Sequence, residues 1–381
     1  MKTRSTLLLV SLSFLQPMSP LTARQSKDTE ECPDAIPIRI AQDDHDPYYV
    51  CLTKLKNERE NAGDATLFAI HGFVHNARVY EPGADWIFEH YGDTFGTVYT
   101  LDLPGHGKSS YPQDIPLGQL SMELYTNAVQ ESLRQLHEKE GITIDVIMGH
   151  SMGGMVLQML QNELRSKGTS LAAPFEEGGY GIPGVVLLAP TLPEQVPWSY
   201  ADGTIYSNGI VSDMLLDLLP YIKFFPQNGA LVKAAPDAFL DFFFTLPGES
   251  EPVPNAPQGE TLNQMNDKEP FVAALQLAGL DVDDDVPFAR PFIDQGIFAA
   301  DVQPAFAIAA FKDDPFMLPE EEQALYRYLG AADGDVPSSE QTAFIEGGDE
   351  DSPGIHDCIY TSPDACLGPA IAFMVDRLFT P

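Results

Sequence analysis

The sequence predicts an α/β fold: a mostly parallel, doubly wound sheet that carries a mainly helical insertion. Three observations lead there. Short, nearly continuous apolar runs alternate with segments of helical spacing, the pattern of strands covered on both faces. The alternation breaks once, between about residues 191 and 302, and then resumes. A glycine-rich turn, Gly149-His150-Ser151-Met152-Gly153, sits where a strand gives way to a helix.

The elements follow in order. Residues 49–52, 66–70 and 97–101 read as strands. Between Leu120 and Leu136, apolar residues fall at 120, 124, 128, 129, 133 and 136, which is helical spacing, and Gly141 ends that helix. A strand at 145–148 leads into helical spacing from Met152 to Leu164, and 185–188 is a buried strand. After the break come a strand at 306–310, a helix at 320–329, a strand at 342–345 and a helix at 369–379. The break is rich in Pro, Phe and Leu. Its most apolar parts are 215–219 and 239–244, and it reads as one insertion. The expected division is a leader at 1–23, a core at 24–190 and 303–381, and a lid or cap insertion at 191–302.

Lys2 and Arg4 precede a short apolar run from Leu7 to Leu15. Pro17 and Pro20 end the run, and Leu21-Thr22-Ala23 offers a small-residue cleavage site. That is the anatomy of a signal peptide cut after Ala23, and the run is too short to span a bilayer. The expected location is secreted or periplasmic. Four cysteines in an exported chain read as two disulfides. Cys32–Cys51 and Cys358–Cys366 are the favoured pairs, because both are local. The net charge of −35 argues against nucleic acid and anionic membrane surfaces as partners.

The chemistry centres on Ser151. A G-x-S-x-G turn between strand and helix is a nucleophile elbow, in which small residues allow a sharp turn that lifts the serine hydroxyl clear of the backbone. A hydroxyl needs a base to take its proton. The base should follow the serine, and of eight histidines only His356 does. The acid is expected after the strand at 306–310, where Asp313 and Asp314 both qualify. Asp314 is preferred because it directly precedes Pro315; Asp313 is the fallback and Glu194 a remote third. Gly107-Lys108-Ser109 looks like the end of a phosphate-binding loop, but Asp102 stands where that motif needs glycine. His71 and His75 lack a zinc-binding pattern, and Asp281, Asp283, Asp284 and Asp285 lack the spacing of a calcium loop.

Several segments together resemble the α/β-hydrolase superfamily, in its lid-bearing, esterase/lipase-like serine hydrolase branch. They are Ala69-Ile70-His71-Gly72-Phe73, Leu101-Asp102-Leu103-Pro104-Gly105-His106-Gly107-Lys108-Ser109, Gly149 to Gly154, Asp314-Pro315 and His356, in the order Ser, Asp, His. The resemblance implies an α/β-hydrolase fold with an oxyanion hole formed by the backbone N–H groups of Phe73 and Met152. It implies hydrolysis of a small-molecule carboxylic ester through an acyl-enzyme, without cofactor or metal. Lactonases, amidases and C–C hydrolases share this constellation. A non-catalytic ligand-binding protein on the same scaffold is the alternative from another class, and the intact serine, histidine and acid argue against it.

Overall fold

A computed structural model describes residues 35–42, 45–193, 235–246, 248–278, 291–299, 304–314, 316–330, 341–349 and 351–380, with Cys32, Val196, Leu231 and Val232. The expected leader, the apolar stretch at 215–219, the acidic loop at 281–285 and Glu194 lie outside the described residues.

Eight strands form one sheet: β1 (Ile36–Gln42), β2 (His45–Lys56), β3 (Ala65–Ile70), β4 (Phe95–Leu101), β5 (Val146–His150), β6 (Gly184–Leu188), then β9 (Ala305–Phe311) and β10 (Thr342–Gly347). Their order is β1-β2-β4-β3-β5-β6-β9-β10. β2 runs antiparallel to both β1 and β4, and all other neighbours are parallel. β3, β5 and β6 are buried along their whole length, which explains their largely apolar sequences.

Helices cover the sheet: α1 (Glu81–Tyr91), α2 (Met122–Glu140), α3 (Met152–Ser166), then α7 (Pro319–Gly330) and α10 (Gly368–Leu378). α2 ends where expected, with Gly141 in the left-handed region at φ +66°. Between β6 and β9 the described residues form β7 (Leu231–Val232), α4 (Pro236–Phe243), α5 (Gly259–Met265), β8 (Glu269–Pro270) and α6 (Phe271–Ala278). β7 and β8 pair as a separate antiparallel ribbon. After β10 come two short helices, α8 (Cys358–Thr361) and α9 (Pro363–Cys366). None of the helices among the described residues is long and apolar enough to cross a membrane.

Both expected disulfides are formed. Cys32–Cys51 ties the chain ahead of β1 to β2, and Cys358–Cys366 joins α8 to α9. Closing loops of this size is worth about 2–3 kcal/mol each in the loop-entropy model.

The sheet's carboxyl edge carries the unusual backbone. Non-glycine residues occupy positive φ at Val74 (+54°), Ser151 (+51°) and Ala189 (+40°), shortly after β3, β5 and β6. Neighbouring parallel strands thus deliver three constrained turns to one rim.

Candidate active site

Ser151 stands between β5 and α3 at φ +51° and ψ −116°, outside the regions a side chain prefers. Its own N–H donates to Leu188 O (2.8 Å), which fixes the turn to β6. The elbow closes only because its neighbours lack side chains. A Cβ on Gly153 would stand 2.3 Å from Ile70 O, and one on Gly149 would stand 2.4 Å from Gly153 O.

Asp314 and His356 meet nearby. His356 Nδ1 donates to Asp314 Oδ2 at 2.7 Å. The other carboxylate oxygen, Oδ1, accepts from the N–H groups of Phe316 (2.7 Å) and Met317 (3.2 Å), so the carboxylate is held at both ends. Asp313 serves the backbone instead: its Oδ2 accepts from Gly354 N–H (3.1 Å), and its N–H donates to Gly354 O (2.9 Å). Ser151, Asp314 and His356 are 5%, 2% and 3% exposed. The His356 ring packs against that of His150, beside Ser151, at 4.8 Å. No hydrogen bond joins Ser151 Oγ to His356 among the described residues; in unliganded enzymes this contact often tightens only with substrate. Burial lowers the pKa of His356, but the Asp314 carboxylate outweighs it, and the net shift is upward.

Phe73 and Met152 flank the serine. Met152 opens α3, so its N–H has no acceptor within the helix. The Phe73 loop lies close against Ser151: a Cβ on Gly72 would be 3.1 Å from Ser151 Cβ. The residues expected to supply the two N–H groups thus lie on either side of Ser151 in the chain's packing.

Four further histidines surround this centre, each held by a partner at one or both ring nitrogens. His71 Nδ1–H donates to Gly72 O (2.9 Å) while its Nε2 accepts from Leu103 N–H (3.1 Å), so the ring is neutral. Burial and the His106 charge hold its pKa well below the ordinary value. His150 Nε2–H donates to His356 O (2.9 Å), and burial and His356 push its pKa down to about 3. His106 faces acceptors at both nitrogens, Pro104 O (3.2 Å) and Glu269 Oε2 (2.9 Å). Burial alone would lower its pKa; Glu269 raises it to about 9. His75 also faces two acceptors, Phe73 O (2.5 Å) and Asp357 Oδ2 (2.6 Å), so each of its ring nitrogens stands opposite an oxygen.

Glu269 and Asp357 are absent from the sequence expectations. Glu269 is fully buried at the head of α6 and also accepts from Tyr125 O–H (2.8 Å) and Val74 N–H (3.1 Å). Asp357 is fully buried beside His356, and although burial raises its pKa, His75 pulls it below the ordinary value. Their partners lie 163 and 282 residues away, so no local pattern signals them.

His150, His356 and Asp357 bring three ligand atoms within 4.8 Å of one another, the one grouping among the described residues with the make-up of a metal site. Each residue is already engaged within the protein, to His356 O, Asp314 and His75 respectively. Asp102, in the segment resembling a phosphate loop, also works internally: its carboxylate accepts from Ala77 N–H (2.8 Å) and Lys108 N–H (3.0 Å).

The structure thus gathers Ser151, Asp314, His356, Phe73 and Met152 at one end of the sheet. An esterase from Exiguobacterium antarcticum is similar, with a TM-score of 0.52 at 14% identity over 89% of this chain and 99% of that one. An esterase from Thermogutta terrifontis gives 0.51 at 15% identity over 91% of this chain and 99% of its own. At such identities the likeness is one of fold. No curated protein matches the sequence. The family model described as the alpha/beta hydrolase family matches residues 67–367, most of the chain, and on that match this protein belongs to the alpha/beta hydrolase family.

Proposed function

We propose that the protein is an exported serine hydrolase that cleaves small carboxylic esters through an acyl-enzyme. The observation that carries this reading is the 2.7 Å bond from His356 Nδ1 to a doubly anchored Asp314, beside a serine on a strained strand-to-helix turn. In the proposed cycle Ser151 Oγ attacks the ester carbonyl and gives its proton to the free ring nitrogen of His356. Asp314 holds the ring and stabilises the imidazolium. The alkoxide that forms takes hydrogen bonds from Phe73 and Met152 N–H, an interaction present only once charge develops. His356 protonates the departing alcohol, then activates the water that releases the acid and restores Ser151.

Aromatic rings support an apolar acyl or aromatic substrate group. Phe316 and Phe243 lie 5.1 and 5.6 Å from the His356 ring. Phe243 comes from α4, so the insertion reaches the reacting centre. Export is supported by the two disulfides and by the signal-like residues 1–23.

Fluorophosphonate labelling tests the nucleophile. The folded protein should label at Ser151, and Ser151→Ala and His356→Ala should each abolish p-nitrophenyl butyrate hydrolysis. Activity in both variants would place the chemistry elsewhere. A panel of esters, lactones and amides of matched acyl group then separates an esterase from its lactonase and amidase relatives.

A further inference from the structure

Resting on the serine hydrolase reading, we propose that His75 is a positioning residue. Locked by Asp357, it holds the Phe73 side of the oxyanion hole in register with His356. The argument begins with the loop. Val74 sits at φ +54°, a left-handed conformation that a β-branched side chain resists. A loop with that conformation keeps its shape only where its surroundings over-determine it. His75 supplies one constraint, through Nδ1–H to Phe73 O at 2.5 Å.

The other face of the same ring donates Nε2–H to Asp357 Oδ2 at 2.6 Å. Asp357 directly follows His356, and its N–H donates to Phe243 O (3.4 Å). One imidazole ring therefore bridges the loop that would bind the oxyanion and the loop that carries the base. His150 lies on the far side of the same carboxylate, its Nε2 3.6 Å from Asp357 Oδ1. The rings of Phe239 and Phe243, each 5.0 Å from His75, cover the pair. In such a dry setting the hydrogen-bonded contact is held firmly, because water offers no competing partner. Neither His75 nor Asp357 is needed for proton transfer; both act through Phe73 and His356.

The test rests on chemistry that appears only in the transition state. His75→Gln preserves a donor near the Nε2 position but loses the bond to Phe73 O. His75→Asn preserves a donor near Nδ1 but cannot reach Asp357. For His75→Gln, kcat on a p-nitrophenyl ester should fall about 10- to 100-fold with KM changed less than about threefold, the signature of a lost transition-state contact. His75→Asn should recover part of that loss. Affinity for an arylboronic acid, which forms a tetrahedral adduct on serine, should fall in parallel with kcat. An unchanged kcat, or equal losses in KM and kcat that His75→Asn does not relieve, would overturn the proposal.

A measurement on the unaltered protein stands if the variants do not fold. Imidazole N–H resonances of His75 should appear as two exchange-protected downfield signals, and both should shift on boronic acid binding. A single signal, or no shift, counts against the proposal. Ser151→Ala, measured alongside, separates the two levels of inference. If that variant is dead while His75→Gln is fully active, only the positioning role fails. If Ser151→Ala is active, the hydrolase reading fails first.

Discussion

Asp313 and Asp314 are adjacent, yet they do different work. Asp314 spends one oxygen on two backbone N–H groups and the other on His356, whereas Asp313 ties the strand end to Gly354. Asp314→Asn should lower kcat by about 10³- to 10⁴-fold, because the amide no longer accepts the Nδ1–H bond in the required tautomer. Asp313→Asn should cost less than about tenfold, since its contact is with the main chain. The ratio of the two effects checks the assignment. Sequence alone leaves this pair open, because both residues follow the same strand and only the bonds from Phe316 and Met317 N–H decide which carboxylate faces the imidazole. The Asp314 charge also sets the pH response. His356 must be neutral to act as base, and its pKa is raised. A pH–rate profile should therefore lose activity, on descending pH, at a value above the ordinary histidine pKa of about 6.5.

At the level of elements, the insertion is tied to the core through a buried charge. Glu269 binds His106 in the loop after β4, Tyr125 on α2 and Val74 directly after Phe73. Asp267 adds a bond from its N–H to Val74 O (2.6 Å). Glu269→Gln should destabilise the protein by about 3–5 kcal/mol, as removal of one partner from a buried pair does; chemical denaturation measures it. The pH dependence has a definite sign. His106 is held at about 9 when folded, against about 6.5 when unfolded. Its contribution is fully present below about pH 6.5 and is lost as pH rises through about 9. Melting curves should show that loss in the parent protein and not in Glu269→Gln. Periodicity reveals the central strands and the long helices, because burial on both faces or on one stripe writes itself into the sequence. It misses β1, where Pro37 and Arg39 interrupt an edge strand, and α1, where Pro82-Gly83 imitates a turn but begins a helix. The Glu269 contacts join an irregular segment to distant loops, which no periodicity encodes.

For the molecule as a whole, the sheet order explains why residues so far apart in sequence share one site. Parallel strands deliver their carboxyl ends to a common edge, and β3, β5, β9 and β10 each end in a loop that carries part of the centre. The whole-molecule charge of −35 acts on stability. Like charges repel in the compact state, and salt screens them over a Debye length of about 10 Å at 0.1 M and 3 Å at 1 M. The melting temperature should therefore rise as NaCl is raised from about 0.01 to 1 M; a flat response would mean the acidic groups are spaced too widely to matter. The three turns at Val74, Ser151 and Ala189 carry a consequence for the protein's evolution. Each holds a side chain where glycine would be at ease. Glycine at 74 or 189 would ease the backbone but empty a buried site, and glycine at 151 would also remove the hydroxyl. The same substitutions would slacken the rim that carries the candidate site. Selection at these positions would then weigh ease of the backbone against filling of the core and tautness of the rim.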